Sequence, residues 1–175
     1  TEPEEKIINV KNVTGRSAVN TLYDVVTNGL TFTMRVGGKK KVLNREGLMM
    51  HVRSPKASVR QAAYQELYRV FSAQRDVLGE MYKTLVIDWK SENLGLRHFT
   101  SPIAARNLGN DVPNAAVDVL LSVCAENADL FQQYFKLKAR ICGIRSMSRY
   151  HLYAPHRTDV KKYQYPDAVR MVLEA

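Results

Sequence analysis

The chain has 175 residues, of which 45% are hydrophobic and 25% are charged, and this composition is typical of a globular protein. Its length suits one domain, or a helical lobe followed by the beginning of a second domain. No apolar run of about 18 residues or more is present, which argues against a transmembrane helix and a membrane partner. The formal net charge is +9, so the chain is strongly basic.

The positive charge is concentrated in two stretches. Residues 35–60 contain eight Lys or Arg against one acid, Glu46, and residues 136–162 contain eight against one acid, Asp159. Such an imbalance is found on nucleic-acid-binding surfaces. It also arises where basic side chains are solvated or pair with acids on another part of a longer protein. We favour the second interpretation and expect no nucleic-acid partner.

The first predicted elements are a helix and a β-hairpin. Residues 17–28 have helical periodicity, with Ser17 as the N-cap and Gly29 after the last turn. The next residues alternate apolar and polar, which is the pattern of a half-buried strand. Gly37-Gly38 is typical of a two-residue turn, so the sequence predicts a hairpin over about 30–43. The apolar face of its first strand consists of Leu30, Phe32, Met34 and Val36.

The longest predicted element follows the hairpin. Asn44 can cap a short helix through Val52, and Ser54-Pro55 then begins a helix over about 55–92. Gly79 is the expected position of a kink. The charged residues expected on the exposed side of this helix are Arg60, Glu66, Arg69, Lys83 and Lys90.

Further helices are predicted in the second half of the chain. Ser101-Pro102 begins one that ends at Leu108, and two more cover about 113–125 and 127–142. A short link makes the latter two antiparallel neighbours, with facing apolar stripes. The stripes comprise Leu120, Leu121 and Val123 on one helix and Leu130, Phe131, Phe135 and Leu137 on the other. A last helix begins at Tyr165-Pro166 and has no visible C-cap, from which we expect a fragment of a longer protein. The predicted fold is mainly α: a multi-helical lobe with one long helix and a single small β-hairpin.

Cysteine usage indicates the compartment. Cys124 and Cys142 lie in helical patterns among apolar residues, so we expect them to be reduced thiols in the core. The N-terminal segment is acidic and has no apolar signal core. The expected location is the cytoplasm.

Two groups of residues were considered as functional sites. Tyr150, His151, Tyr153 and His156 place two imidazoles and two phenols within seven residues, but zinc needs three or four converging ligands and no carboxylate or thiolate is adjacent. We interpret this cluster as a structural anchor. The run from Arg106-Asn107 to Gly109-Asn110 could form a polar site, but it is more typical of a helix end followed by the next helix cap.

The sequence also lacks two catalytic motifs. None of the four histidines, His51, His98, His151 and His156, begins a His-Glu-x-x-His pattern, which would place two imidazoles on one helical face. The sequence also has no Gly-x-Ser-x-Gly elbow. We predict no catalytic, cofactor-binding or metal-binding residue in this chain.

One stretch resembles a known family. The residues that carry the resemblance are Tyr134, Leu137, Lys138, Gly143, Tyr150, Leu152, Tyr153, Ala154 and Pro155. This pattern resembles the oligoendopeptidase F branch of the thimet oligopeptidase family, with His151 where the family usually has Asp. The run Val59-Arg60-Gln61-Ala62-Ala63, which follows a hairpin and opens a long helix, resembles the N-terminal lobe of the same family.

The resemblance implies a function for a longer parent protein. Members are zinc metallopeptidases that cleave short peptides in a channel between helical halves, with chemistry on a His-Glu-x-x-His helix. It implies an N-terminal lobe over 1–108 and the first helices of the catalytic domain over 109–175. This segment would wall the channel, bind no zinc, be inactive alone and contact the remainder of the catalytic domain. The alternatives are a basic helical nucleic-acid-binding module or a protein adaptor.

Overall fold

The computed structural model describes residues 1–155 and 163–174, and within these ranges the protein is mainly α. Its elements, in chain order, are α1 (Glu2–Thr14), α2 (Arg16–Asn28), β1 (Phe32–Val36), β2 (Lys39–Leu43), α3 (Arg45–Met49), a 3₁₀ turn (Met50–Arg53), α4 (Ala57–Ala73), α5 (Arg75–Lys90), a π-helical turn (Ser91–Leu96), α6 (Pro102–Gly109), α7 (Asn114–Glu126), α8 (Ala128–Ile141), a second 3₁₀ turn (Arg149–His151) and α9 (Tyr165–Leu173). The predicted fold class is confirmed.

The N-terminal helices differ from the prediction. Helix α1 was not expected, and it begins with Thr1 as the N-cap and Glu4 closing a capping box. Gly15 is the only link between α1 and α2, and its carbonyl accepts the first hydrogen bond of α2 from Val19 N–H. Helix α2 therefore begins at Arg16, so the predicted Ser17 cap is wrong. Its end before Gly29 is confirmed.

The β-hairpin agrees with its sequence pattern. The two antiparallel strands pair Phe32 with Leu43 and Val36 with Lys39. Gly37 and Gly38 form the turn with φ values of 59° and 80°, a left-handed region that glycine adopts without steric cost. The apolar face of β1 packs against α3 and α4, and the buried core comprises Phe32, Met34, Leu48, Ala63 and Val70.

The long predicted helix is two consecutive helices. The interruption lies at Gln74, where φ is −104° and ψ is 9°, and its N–H bonds to the carbonyl of Phe71. Gly79 lies within α5 without interrupting it, so the expected kink position is wrong. The first of the two helices also begins later than predicted, at Ala57 with Lys56 as N-cap. The short helix after Asn44 is confirmed, because the Asn44 side chain accepts a hydrogen bond from Gly47 N–H at 2.9 Å.

The second half contains the predicted helices, but two of them do not pack as expected. Ser101 caps α6 through a 3.2 Å hydrogen bond from Ala104 N–H, as predicted. Only Asn127 separates α7 from α8, with φ of −102° and ψ of 19°. Helical hairpins use loops of about 2–5 residues, so this single near-helical residue is too short to reverse the chain. The side chains expected to face one another are all exposed: Leu120, Leu121, Val123, Leu130, Phe131, Phe135 and Leu137.

The cysteine prediction is partly wrong. Both thiols are free, but Cys124 is exposed and Cys142 is half-buried, because the face of α7 that was expected to be core is uncovered. Across residues 1–155 and 163–174, no helix combines the length and the apolar character needed to cross a bilayer.

Candidate functional site

Arg60 connects α4 to the second 3₁₀ turn. Its Nε donates to the carbonyl of Tyr150 at 3.1 Å, and its Nη1 donates to the carbonyls of Ser54 at 2.6 Å and Pro55 at 2.9 Å. Only 3% of Arg60 is exposed, so its predicted position on the exposed side of the helix is wrong. The physical reason is that three backbone carbonyls from two distant segments meet around this guanidinium and satisfy donors that would otherwise need water.

Lys138 of α8 holds the next part of the same segment. It is buried, and its Nζ donates to the carbonyl of Leu152. Two buried cations thus bind carbonyls two residues apart in the segment 149–155. Arg60 and Lys138 belong to the basic stretches seen in the sequence, so part of that positive charge does not face solvent.

His151 is held as an element of this structure. The imidazole is buried, and Ser148 N–H donates to its Nδ1 at 3.0 Å. Burial, assisted by the positive charge of Arg60, lowers the pKa of His151 below its usual 6.5. The Tyr150 ring lies 4.4 Å from the His151 ring and 6.3 Å from the Tyr64 ring, measured between centroids. These contacts agree with the predicted anchoring role, whereas His156 lies outside the described residues.

A small cavity lies between α3, α4 and the segment 149–155. Its volume is about 150 Å³, and its walls include four tyrosines together with Arg60 and Arg149. The tyrosines are Tyr64, Tyr68, Tyr150 and Tyr153. The Cζ atoms of Arg53 and Arg149 lie 5.9 and 6.0 Å from the centroid of the Tyr153 ring, within the range of a cation–π contact.

The polar residues of the other predicted candidate stabilise a helix end. Asn107 is buried, its Nδ2 donates to Asn114 Oδ1 at 2.9 Å, and its carbonyl accepts from Val112 N–H at 2.9 Å. Arg106 is exposed. The arrangement agrees with the interpretation of this run as a helix end followed by the start of the next helix.

The described part of the chain contains no group of three or more His, Cys, Asp or Glu side chains that could hold a metal ion. Zinc sites in proteins use three or four such ligands. The described residues therefore do not fit a zinc site, and we assign no catalytic step to them.

Sequence reasoning missed the buried cations and a buried carboxylate. Glu92 is buried and accepts from Asn12 Nδ2 at 3.0 Å and from Arg97, which also binds Glu5 at 2.7 Å. A signal for Arg60 existed, because it precedes Ala63 by three residues and Leu67 by seven on the apolar stripe of α4. No comparable signal marks Tyr150, the partner of Arg60 that lies 90 residues away in sequence.

The fold is similar to part of two known protein structures. The fold matches part of the crystal structure of oligoendopeptidase-F from Enterococcus faecium, with a TM-score of 0.76 and 21% identity over 98% of this chain and 33% of that chain. It also matches a putative peptidase from Chlamydophila abortus, with a TM-score of 0.77 and 18% identity over 99% of this chain and 29% of that chain. The chain thus has the fold of part of these bacterial peptidase structures. No protein-family profile matches it.

Sequence relatives identify the family. The chain is 30% identical to the plasmid oligoendopeptidase F of Lactococcus lactis subsp. cremoris over 123 residues, which are 69% of this chain and 20% of that protein. It is 23% identical to the group B oligopeptidase PepB of Streptococcus agalactiae over 135 residues, which are 76% of this chain and 22% of that protein. Over its matched residues, the chain belongs to the oligoendopeptidase F family. It spans about a fifth of the length of these curated relatives.

Proposed function

We propose that this chain is part of a zinc-dependent oligopeptidase that hydrolyses short peptides. The observation that carries the proposal is the 30% identity to oligoendopeptidase F over 123 residues. The fold similarity over nearly the whole chain supports it. In this proposal the present residues form a wall of the substrate channel, and residues elsewhere in the parent bind zinc.

The exposed apolar faces support a role as one part of a larger body. Leu120 on α7 and Leu130 on α8 are 60% and 63% exposed, and Val172 on α9 is 77% exposed. Large exposed apolar patches mark sites that another polypeptide surface covers. We assign that cover to the remainder of the parent catalytic domain.

The proposal also divides the chain into an N-terminal lobe over 1–108 and the first helices of the catalytic domain over 109–175. On this division, the hydrogen bond between Arg60 and Tyr150 joins the two parts. The aromatic contact between Tyr64 and Tyr150 lies beside it.

The test compares the 175-residue chain with the longest product of its reading frame. Internally quenched peptides of about eight residues serve as substrates, and zinc content is measured on both proteins. We expect the longer product to bind zinc, to cleave the peptides and to lose activity with a chelator. We expect the 175-residue chain to show neither activity nor stoichiometric zinc.

Two results would overturn the proposal. One is a tight one-to-one zinc complex, or peptide cleavage, by the 175-residue chain. The other is a reading frame that encodes no His-Glu-x-x-His helix. A salt-dependent complex with an oligonucleotide at low micromolar concentration would instead support the basic binding module.

A further inference from the structure

The guanidinium of Arg60 carries a buried charge with no anionic partner in the described part of the chain. Its bonds go to three backbone carbonyls, which carry no net charge. Ion pairs among residues 1–155 and 163–174 involve Arg69, Arg75, Lys83, Arg97 and Arg170 as side-chain cations, and not Arg60. Buried charges in proteins are usually paired, because desolvation of an isolated ion is costly.

The same side chain has donors left over. A guanidinium has five N–H groups, and the hydrogen bonds of Arg60 use only Nε and Nη1. Nη2 is therefore free to bind an acceptor. Arg60 is one of the residues that line the tyrosine-walled cavity.

The size and walls of the cavity restrict its occupant. A volume of about 150 Å³ holds roughly one aromatic ring. The walls are mostly aromatic and aliphatic, including Tyr64, Leu67 and Tyr150, and such walls favour an apolar body. This volume and these walls favour a small ligand with one apolar ring.

A second positive group lies at the same cavity. Arg149 lines the cavity and makes no ion pair with a described residue. Arg53, which contacts the same Tyr153 ring as Arg149, also makes no ion pair with a described residue. Both arginines are exposed, so salt screens their charges, and it screens the buried charge of Arg60 much less. The cavity is thus lined by one buried and one exposed arginine, and guanidinium groups bind carboxylates through charge-assisted hydrogen bonds.

We propose that this cavity binds a carboxylate joined by a short linker to one aromatic ring. The carboxylate binds Arg60 and Arg149, and the ring lies among Tyr64, Tyr68 and Tyr150. Two sources share this chemistry: a free aromatic acid, and the C-terminal residue of a peptide that ends in phenylalanine. The inference does not depend on the proposed peptidase function, because it uses only the cavity and its unpaired charges.

The experiment titrates 3-phenylpropionate into the 175-residue chain and follows binding by calorimetry and NMR. The neutral control is 3-phenylpropanamide, which has the same ring and linker without the charge. We expect saturable one-to-one binding of the acid and at least about tenfold weaker binding of the amide, since a charge-assisted hydrogen bond contributes more than 1.4 kcal/mol. N-acetylphenylalanine and its amide form the second pair, and the tighter of the two acids identifies the source.

Matched variants locate the binding. Arg149→Gln removes the exposed guanidinium of the cavity, and we expect about tenfold weaker binding of the acid. Arg145→Gln removes an exposed arginine of the same chain region that does not line the cavity, and we expect no change.

The proposal is overturned if neither acid binds saturably or if the amides bind as tightly as the acids. It is also overturned if Arg149→Gln binds the acid as tightly as the unmodified chain does. Because Arg149 is exposed, its replacement is not expected to unfold the protein, and a circular dichroism melt verifies this.

Discussion

The Nε of Arg60 lies 3.1 Å from the carbonyl oxygen of Tyr150, a residue 90 positions further along the chain. The same guanidinium binds the carbonyls of Ser54 and Pro55 just before α4 begins. One buried side chain therefore fixes both the start of this helix and the turn that carries His151. The consequences of this relationship can be measured as changes in the free energy of unfolding.

Replacement of Arg60 by methionine is expected to destabilise the chain by about 3 kcal/mol. The change leaves three carbonyls without a donor, and each unmade buried hydrogen bond costs roughly 1–3 kcal/mol, partly offset by the apolar side chain. The control is Arg75→Met, whose side chain is 81% exposed and pairs with an exposed Asp76. Its expected effect is below about 0.5 kcal/mol. Urea unfolding measures both, and equal values for the two variants would contradict the prediction.

Replacement of Glu66 by glutamine is expected to destabilise the chain by about 1–2 kcal/mol at pH 7. The Glu66 side chain is 11% exposed and accepts a hydrogen bond from Thr33 N–H at 2.7 Å, which connects β1 to α4. Both of its carboxylate oxygens also bind Arg69 within α4. The replacement weakens mainly the charge-assisted hydrogen bonds with Arg69. In the unmodified chain, the hydrogen bonds from Arg69 and Thr33 lower the pKa of Glu66 from its usual 4.5.

The sign of the pH dependence for Glu66 follows from that lowered pKa. Its contribution is fully present above about pH 4.5 and is lost as pH falls through the pKa in the folded state. The difference between the unmodified chain and Glu66→Gln should therefore shrink in acid. Glu80→Gln is the matched control, because its partner Lys83 is exposed and the pair lies on one helix surface. A difference that stays constant down to about pH 3 would argue against the assignment.

Acidification should also destabilise the chain through His151. The pKa of this imidazole is lowered by burial and by Arg60, so the folded state favours its neutral form. The contribution of His151 to the free energy of unfolding is fully present above pH 6.5. It is lost as pH falls from 6.5 through the lower pKa of the folded state, because protonation of Nδ1 breaks the hydrogen bond from Ser148 N–H. His151→Gln retains an acceptor but does not titrate. Unfolding free energies measured from pH 8 to pH 5 should fall more steeply for the unmodified chain than for this variant. The same pH dependence in both proteins would contradict the prediction.

Two leucines test the unexpected exposure of α8. Leu48 has no exposed surface, and Leu48→Ala is expected to cost about 2–5 kcal/mol because it leaves a cavity. Leu130 is 63% exposed, so Leu130→Ala is expected to change stability by less than about 0.5 kcal/mol. Thermal or urea unfolding of both variants gives the comparison. A cost above about 2 kcal/mol for Leu130→Ala would show that α8 is covered in this chain.

The hairpin and the caps could be predicted because their causes are local. Gly37-Gly38 permits the turn, and the alternation in β1 selects the buried face that contains Phe32 and Met34. Ser101 caps α6 through a residue three positions away. In contrast, Gln74 is an ordinary helix residue, and nothing beside it in the sequence marks it as the interruption between α4 and α5.

The candidate site could be predicted only in part. The sequence indicated that the run around His151 is an anchor, and the hydrogen bond from Ser148 agrees with that interpretation. The cavity could not be predicted, because its walls come from α3, α4 and a turn more than 80 residues later. Whether zinc lies elsewhere in the parent stays a prediction.

By itself, the sequence determined that the chain is mainly helical, where the β-hairpin and α6 lie, and which family its residues resemble. These features depend on periodicity, capping and short motifs, which act over a few residues. Only the tertiary structure decided that Arg60 and Lys138 are buried and that the apolar faces of α7 and α8 do not pair. Burial depends on which distant groups meet a side chain, and an apolar stripe indicates that a face needs a cover without specifying what covers it.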